Sequence, residues 1–272
     1  MTQFLFIRRF PHYWRVYKQI ISFNLSLLLA YRLNVLVHSL YGFTFMLGVY
    51  LIILVAFTQT QTIGGFSQAE ITLMYLTSLT LWTLLESTVF EGYKFFMIED
   101  VATGQFDKYL LKPMIPQVLV AMSRPHLTSF VYFIVIFVGF IWYGMSFFLA
   151  ANFLQIVGFV LFFLIGLGIH INLFSTYATL AFHLTRSSQL IRTLQSVSDQ
   201  AFYPPPIYPK PIQIVMFSLL PTAYGAYIPV SILLGKENVT HMLIAIVALP
   251  IVIFINHWAW KIGLKSYTSA SS

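Results

Sequence analysis

Three stretches of this chain, residues 33–57, 153–182 and 239–260, contain no aspartate, glutamate, lysine or arginine and are dominated by apolar side chains. Each is long enough to cross the hydrocarbon core of a bilayer, which takes about 20 residues of helix. Inside lipid no water is available for the backbone, so a crossing segment must satisfy its own hydrogen bonds as a helix or a closed barrel. Unbroken apolar runs of this length select the helix. Composition agrees: charged residues make up 8% of the chain, against roughly 25% in a soluble domain. At roughly 20 residues per crossing, five or six crossings with short loops occupy most of the 272 residues. No polar segment remains that is long enough for a nucleotide-binding domain.

Other segments are less regular. Residues 71–95 are apolar but carry Glu86 and Glu91, and residues 118–143 end on Trp142 and Tyr143, aromatic residues suited to a membrane interface. Residues 184–202 contain Arg186, Arg192 and Asp199 and can span only if packed among other helices. Five prolines between Pro204 and Pro211 cannot continue a helix. Residues 212–234 are apolar but interrupted by Pro221, Gly225 and Pro229, which suits two short helices entering and leaving from one side. The expected fold class is all-α: one polytopic membrane domain over 1–272, with six transmembrane helices and a re-entrant helical hairpin before the last span.

Residues 4–32 place Arg8, Arg9, Trp14, Arg15 and Lys18 among further aromatic and aliphatic residues. That mixture suits an interfacial helix, with cations at headgroup depth and rings at the acyl boundary. The plainer reading is a basic flank that fixes orientation. A cleavable signal is not expected, because the apolar run is short and the basic residues follow it. With the N-terminus in the cytoplasm and 212–234 re-entrant, thirteen of the fifteen lysines and arginines fall on the cytoplasmic side, leaving Lys210 and Lys236 outside. This satisfies the positive-inside rule and places both termini in the cytoplasm, whereas a full crossing over 212–234 would put Lys261, Lys265 and the C-terminus outside and fits the rule less well. The net charge of +7 lies along membrane edges and forms no groove, so nucleic acid is not an expected partner.

Few residues suggest chemistry. There is no cysteine, which removes disulfide, thiolate and zinc–thiolate readings. The histidines lack metal-ligand spacing, and no Gly-Lys-Ser/Thr loop is present, so any ATP hydrolysis belongs to another chain. No cofactor is implied. Glu86 and Glu91 are costly inside a span and, with His170 and Asp199, are candidates for a path or polar network. Glu91 can pair with Lys94, three residues on. Glu86 is either a group lining a path or a hydrogen-bonded anchor.

The segment 99–113 is the most informative. Gly104 permits a sharp reversal, Phe106, Tyr109 and Leu110 share one face of a short helix, and Pro113 and Pro116 close it. On periodicity alone such a helix either docks a motor subunit or lies as a connector on the headgroups. The run Gly104-Gln105-Phe106-Asp107-Lys108-Tyr109-Leu110-Leu111-Lys112-Pro113 resembles the intracellular-loop signature G-x-F/L-D-x-x-L-L-x-P of a bacterial subfamily of type-2 ABC export permeases. The stretch from Tyr203 to Pro211, the later Pro221 and Pro229, and the terminal Trp260-x-x-Gly263-Leu264-x-x-Tyr267 resemble the same subfamily. The resemblance implies a permease subunit of the bacterial inner membrane that dimerises, with itself or with a second permease, and binds two cytoplasmic ATPase subunits through 104–110. Direction of transport is then export. The charged fifth span departs from that pattern. Two other classes stay open on the residues alone: a proton-coupled secondary transporter, and an intramembrane enzyme acting on lipid, both using Glu86. Neither inverted repeats nor a paired catalytic motif is visible for them.

Overall fold

The computed structural model describes residues 2–184, 204–218 and 222–268. Among these the chain is helical, and its extended pairing is a single bridge between Ile63 and Phe66. The long helices are α1 (Thr2–Ala30), α2 (Arg32–Gln59), α3 (Gln68–Asp100), α6 (Leu127–Ala150), α7 (Phe153–Phe182) and α11 (Val239–Ser266). Shorter ones are α4 (Asp107–Leu110), α5 (Pro116–Met122), α8 (Lys210–Ser218), α9 (Thr222–Gly225) and α10 (Tyr227–Leu233). Five helices are long and apolar enough to cross a membrane: α2 from Val35 onward, α3, α6, α7 and α11. The run α8 to α10, bent by 65°, counts as a sixth if taken as one broken span. The polar stretch expected at 184–202, with Arg186, Arg192 and Asp199, lies outside the described residues except for Leu184 at its edge, as does Pro221.

Helix starts follow local chemistry. Ser67 Oγ accepts from the Glu70 N–H, while Glu70 Oε2 accepts from the Ser67 N–H at 2.7 Å. This reciprocal cap satisfies donors that a helix end otherwise leaves bare and starts α3 earlier than residue 71. Asn152 and Gln155 form the same device before α7, at 2.9 and 2.8 Å. Asn238 caps α11 through the Thr240 N–H at 2.9 Å.

The segment expected as one span over 118–143 is divided. Its first residues belong to α5, a break follows over 123–126, and α6 begins at Leu127. Pro125 is the cause, since it removes a helical donor and pushes Arg124 out of the helical region. The breaks in the bent pair also have particular origins. The chain turns at Ala226 (φ −139°, ψ −42°), so Pro229 is the third residue of α10, a first-turn position where its missing N–H costs nothing. Gly225 ends α9. A Cβ there would meet Leu81 Cδ2 at 2.9 Å and His170 Cε1 at 3.3 Å, so close packing is what favours glycine.

The central helix is α3, with 67% of its most apolar window buried against 6% for α2. It packs along α6, while α10 and α11 pack along α7. Large apolar residues of α2, including Leu33, Leu40, Tyr41 and Ile52, face outward, as lipid or a protein neighbour requires. At the loop end near Phe66, Lys236 Nζ pairs with Glu70 Oε2 at 2.7 Å and bonds the Gly65 carbonyl at 3.1 Å.

The bent pair docks on α7 at Gly166. A Cβ at this position would lie 2.2 Å from the Tyr224 carbonyl oxygen, whereas one at Gly48 meets nothing within 4 Å. G166A is therefore expected to destabilise by about 1–3 kcal/mol through overpacking against backbone. G48A should leave the melting temperature of the purified protein unchanged or slightly raised, which thermal unfolding in detergent checks.

Candidate coupling segment

The end of α3 is built to carry a reversal. Its last residues, Phe96–Asp100, form a π-helical turn with Phe96, Met97 and Asp100 buried. A second π-helical stretch, Glu86–Phe90, lies above it, separated by one α-helical turn. Such widened turns are rare and recur at functional sites. Gly104 then adopts φ +73°, open to glycine at little cost. Its N–H donates to Val101 O at 3.3 Å and that of Phe106 to Asp100 O at 2.9 Å, closing the helix end as left-handed glycine caps do. The chain enters α4 immediately afterwards.

Asp100 has no exposed surface. Its Oδ1 accepts from Arg124 Nη2 at 3.0 Å and its Oδ2 from the Tyr109 hydroxyl at 3.2 Å. A buried charge needs a partner of this kind. Arg124 also approaches Glu99 at 3.6 Å and lies 4.2 Å over the Phe95 ring, and Gln105 Nε2 donates to Glu99 Oε1 at 3.4 Å. Burial pushes the Tyr109 hydroxyl above its ordinary range, and the Asp100 carboxylate adds to this, so Tyr109 stays a donor at neutral pH.

Phe106 is likewise fully buried. Its ring meets Phe96 at 5.1 Å, Phe182 at 5.4 Å and Tyr267 at 5.0 Å between centroids, each edge to face, a favoured aromatic geometry. The Tyr267 hydroxyl donates to Asp107 Oδ1 at 2.9 Å. The Tyr13 hydroxyl of α1 accepts the Ile115 N–H at 2.9 Å. The segment is thus tied to α3, α7, the end of α11, the break before α6, and α1.

The structure divides the face expected from Phe106, Tyr109 and Leu110. Phe106 and Tyr109 point into the core, while Leu110 (44% exposed) points out with Leu111 (86%), Lys108, Lys112 and Pro113. Lys108 Nζ bonds Gln105 Oε1 at 2.9 Å and sits over the Tyr109 ring. The arrangement is an exposed tip on a buried, ion-paired base. Arg124, Tyr13 and Tyr267 were not identifiable as its partners from sequence, since each is remote in the chain and only topology brings them together.

The other candidate residues have separate partners. Ser129 donates to Glu86 Oε2 at 2.9 Å, and the Ser129 oxygen is 2.7 Å from His126 Nδ1. The serine therefore lies between acid and imidazole, whereas an activated serine nucleophile requires the imidazole between serine and acid. Glu91, buried, pairs with Lys94 at 2.7 Å. His170, also buried, bonds Gly166 O at 2.7 Å. Asp199 is outside the described residues. Among the described residues no group of His, Cys, Asp and Glu could hold a metal ion.

Breaking the ion pair by R124Q leaves the Asp100 carboxylate buried and unpaired, with an expected loss of about 3 kcal/mol. The double variant R124Q/D100N should recover part of it. Thermal unfolding of the variants in one detergent measures both; equal melting temperatures for the parent and R124Q would refute the assignment.

Comparisons with curated proteins and with solved structures give no match. A family model does match, over residues 43–271, from α2 to the end of the chain beyond α11, and its description is ABC-2 family transporter protein. The match takes in segment 99–113 and the bent pair together with most of the spanning helices, and the chain belongs to this family as a membrane-embedded permease of an ABC transporter.

Proposed function

We propose that this chain is the membrane subunit of an ATP-driven exporter in a bacterial inner membrane, paired with a second permease copy or a related permease and powered by separate cytoplasmic ATPase subunits. The observation that carries this reading is the form of segment 99–113. Its exposed tip, Lys108 with Leu110 to Pro113, offers a small apolar and cationic surface to a partner. Its base is fixed to the spans by Asp100, Arg124, Tyr109 and Phe106. A force applied to the tip then acts on α3 directly instead of bending a loop. Family membership supports an ATPase partner, because the membrane subunits of such transporters are generally separate from the ATPase. The chain also contains no phosphate-binding glycine loop of the Walker type. Charge asymmetry supports cytoplasmic termini. The serine-bridged geometry at Glu86 does not favour nucleophilic catalysis.

The test is affinity purification of the tagged chain from its native membrane in mild detergent. An ATPase subunit is expected with the parent chain and is expected to be lost with L111D, which alters an exposed residue and should leave the melting temperature intact. Retention of the ATPase by both L111D and a 104–113 deletion would end the docking argument. Any second permease in the same eluate decides between homo- and heterodimer. The absence of cysteine gives an independent test of orientation. K112C should react with an impermeant maleimide only in inverted membrane vesicles, and K236C only in right-side-out ones.

A further inference from the structure

The two faces of α1 do different things. Its inward face buries Tyr13 in the cluster that also holds Met114, Leu119 and Phe106, with Val16 packed against it. Its outward face presents Trp14, Arg15 and Lys18 to the surroundings, and further along Phe23 and Leu29. Lys18 Nζ stands 5.2 Å over the Trp14 ring, so an ammonium is already held beside an indole. Among the described residues neither Arg15 nor Lys18 has a carboxylate partner. The face thus runs from cationic and aromatic to uncharged along the helix, with exposed Leu25 and Leu29 beside Ser22 and Ser26, the Ser26 hydroxyl returning to the Ser22 carbonyl. That gradient matches the passage from phosphate headgroups to acyl chains, which free phosphate in solution would not require.

On the inward side, the Tyr13 hydroxyl accepts the N–H of Ile115 at 2.9 Å. Ile115 is the residue from which α5 starts, two positions beyond Pro113 at the end of segment 99–113. A shift of α1 toward or away from the membrane surface therefore acts on the exit of that segment through this part-buried hydrogen bond and the packing around it.

We propose that Trp14, Arg15 and Lys18 form a binding surface for anionic phospholipid headgroups, and that the Tyr13–Ile115 hydrogen bond transmits its occupancy to the coupling segment. The lipid surface stands by itself; its consequence for transport rests on reading 99–113 as the ATPase-coupling segment.

The experiment places the full chain, with its co-purifying subunits, in nanodiscs of phosphatidylcholine alone or of equal parts phosphatidylcholine and phosphatidylglycerol. Native mass spectrometry reads the enrichment of phosphatidylglycerol on the protein, hydrogen exchange reads residues 103–115, and ATP turnover is followed in parallel. Enrichment is expected for the parent and should fall about fivefold per cation removed in R15Q/K18Q, the factor given by roughly 1 kcal/mol per basic residue at an anionic surface. Phosphatidylglycerol should slow exchange at 103–115 in the parent. In Y13F, enrichment should persist while the exchange response disappears. Unchanged enrichment in R15Q/K18Q overturns the surface, and so does slowed exchange on adding inorganic phosphate to phosphatidylcholine discs. An undiminished response in Y13F overturns the relay. If both hold while ATP turnover ignores the lipid, the relay stands and the coupling reading is what fails.

Discussion

A carboxylate with no exposed surface sits where the central helix stops, and the order of the surrounding end of the molecule follows from how it is neutralised. Asp100 needs a cation, and Arg124 supplies it from the break between α5 and α6. That contact ties the break before α6 to the end of α3. Tyr109 supplies the second oxygen with a donor from beyond the reversal, which turns α4 back toward the bundle. Once α4 is turned, Phe106 has nowhere to go but the ring cluster of Phe96, Phe182 and Tyr267, and the chain's last described residues are drawn in with it. An ion pair of this kind contributes little net stability compared with an apolar equivalent, but removing one partner is strongly unfavourable. Its effect is specificity of arrangement.

The route from that end into the spans is α3, and its own chemistry makes it unusual. Threonines along it, Thr72, Thr77, Thr80 and Thr83, return their hydroxyls to carbonyls one turn back at 2.7–2.8 Å. These hydroxyls are thus satisfied within the helix, which is how such side chains remain tolerable in an apolar setting. Below them the two π-helical stretches widen the helix on either side of the α-helical turn where Gly92 crosses α5 with no room for a Cβ, 2.2 Å from Val120 O. The helix is wide where it must carry Glu86 and Asp100 and narrow where another backbone passes.

Much of this architecture is legible in the residues. Charge-free runs mark α2, α7 and α11 because lipid admits nothing else of that length. The segment around Gly104 stands out because a glycine, a short periodic helix and a closing proline occur in order. What is not legible is pairing across the chain. Arg124 reads as one more cytoplasmic cation, although it neutralises a residue 24 positions earlier. Phe106 and Tyr109 read as a docking face because periodicity says which residues share a side of a helix, never which way that side points. Pro229 reads as a break because a proline in an apolar run usually is one, yet its place in the first turn makes it harmless. Each of these placements depends on tertiary context that no local pattern encodes.

The packing also separates the spans into two groups with a shared foot. One group is α2, α3 and α6; the other is α7 with the bent pair and α11. Within the second group the contacts are close and polar: Asn256 Nδ2 donates to Asn172 Oδ1 at 2.8 Å, and Gly166 lets α9 lie directly on α7. Between the groups, the coupling end carries a junction at Ser175, whose oxygen accepts from Trp260 Nε1 of α11 at 2.8 Å and from Gln117 Nε2 of α5 at 2.9 Å. The opposite end is joined by Lys236 and Glu70, a pair with the cation substantially exposed, and exposed pairs contribute about 0–1 kcal/mol. Apolar packing joins the groups at that end as well, where Phe159 of α7 and Val230 and Leu233 of α10 share one buried cluster with Phe66, Ile71, Leu73 and Phe140. The two groups are thus joined at both ends by different means, through hydrogen bonds converging on Ser175 at one and through apolar packing beside the Lys236–Glu70 pair at the other.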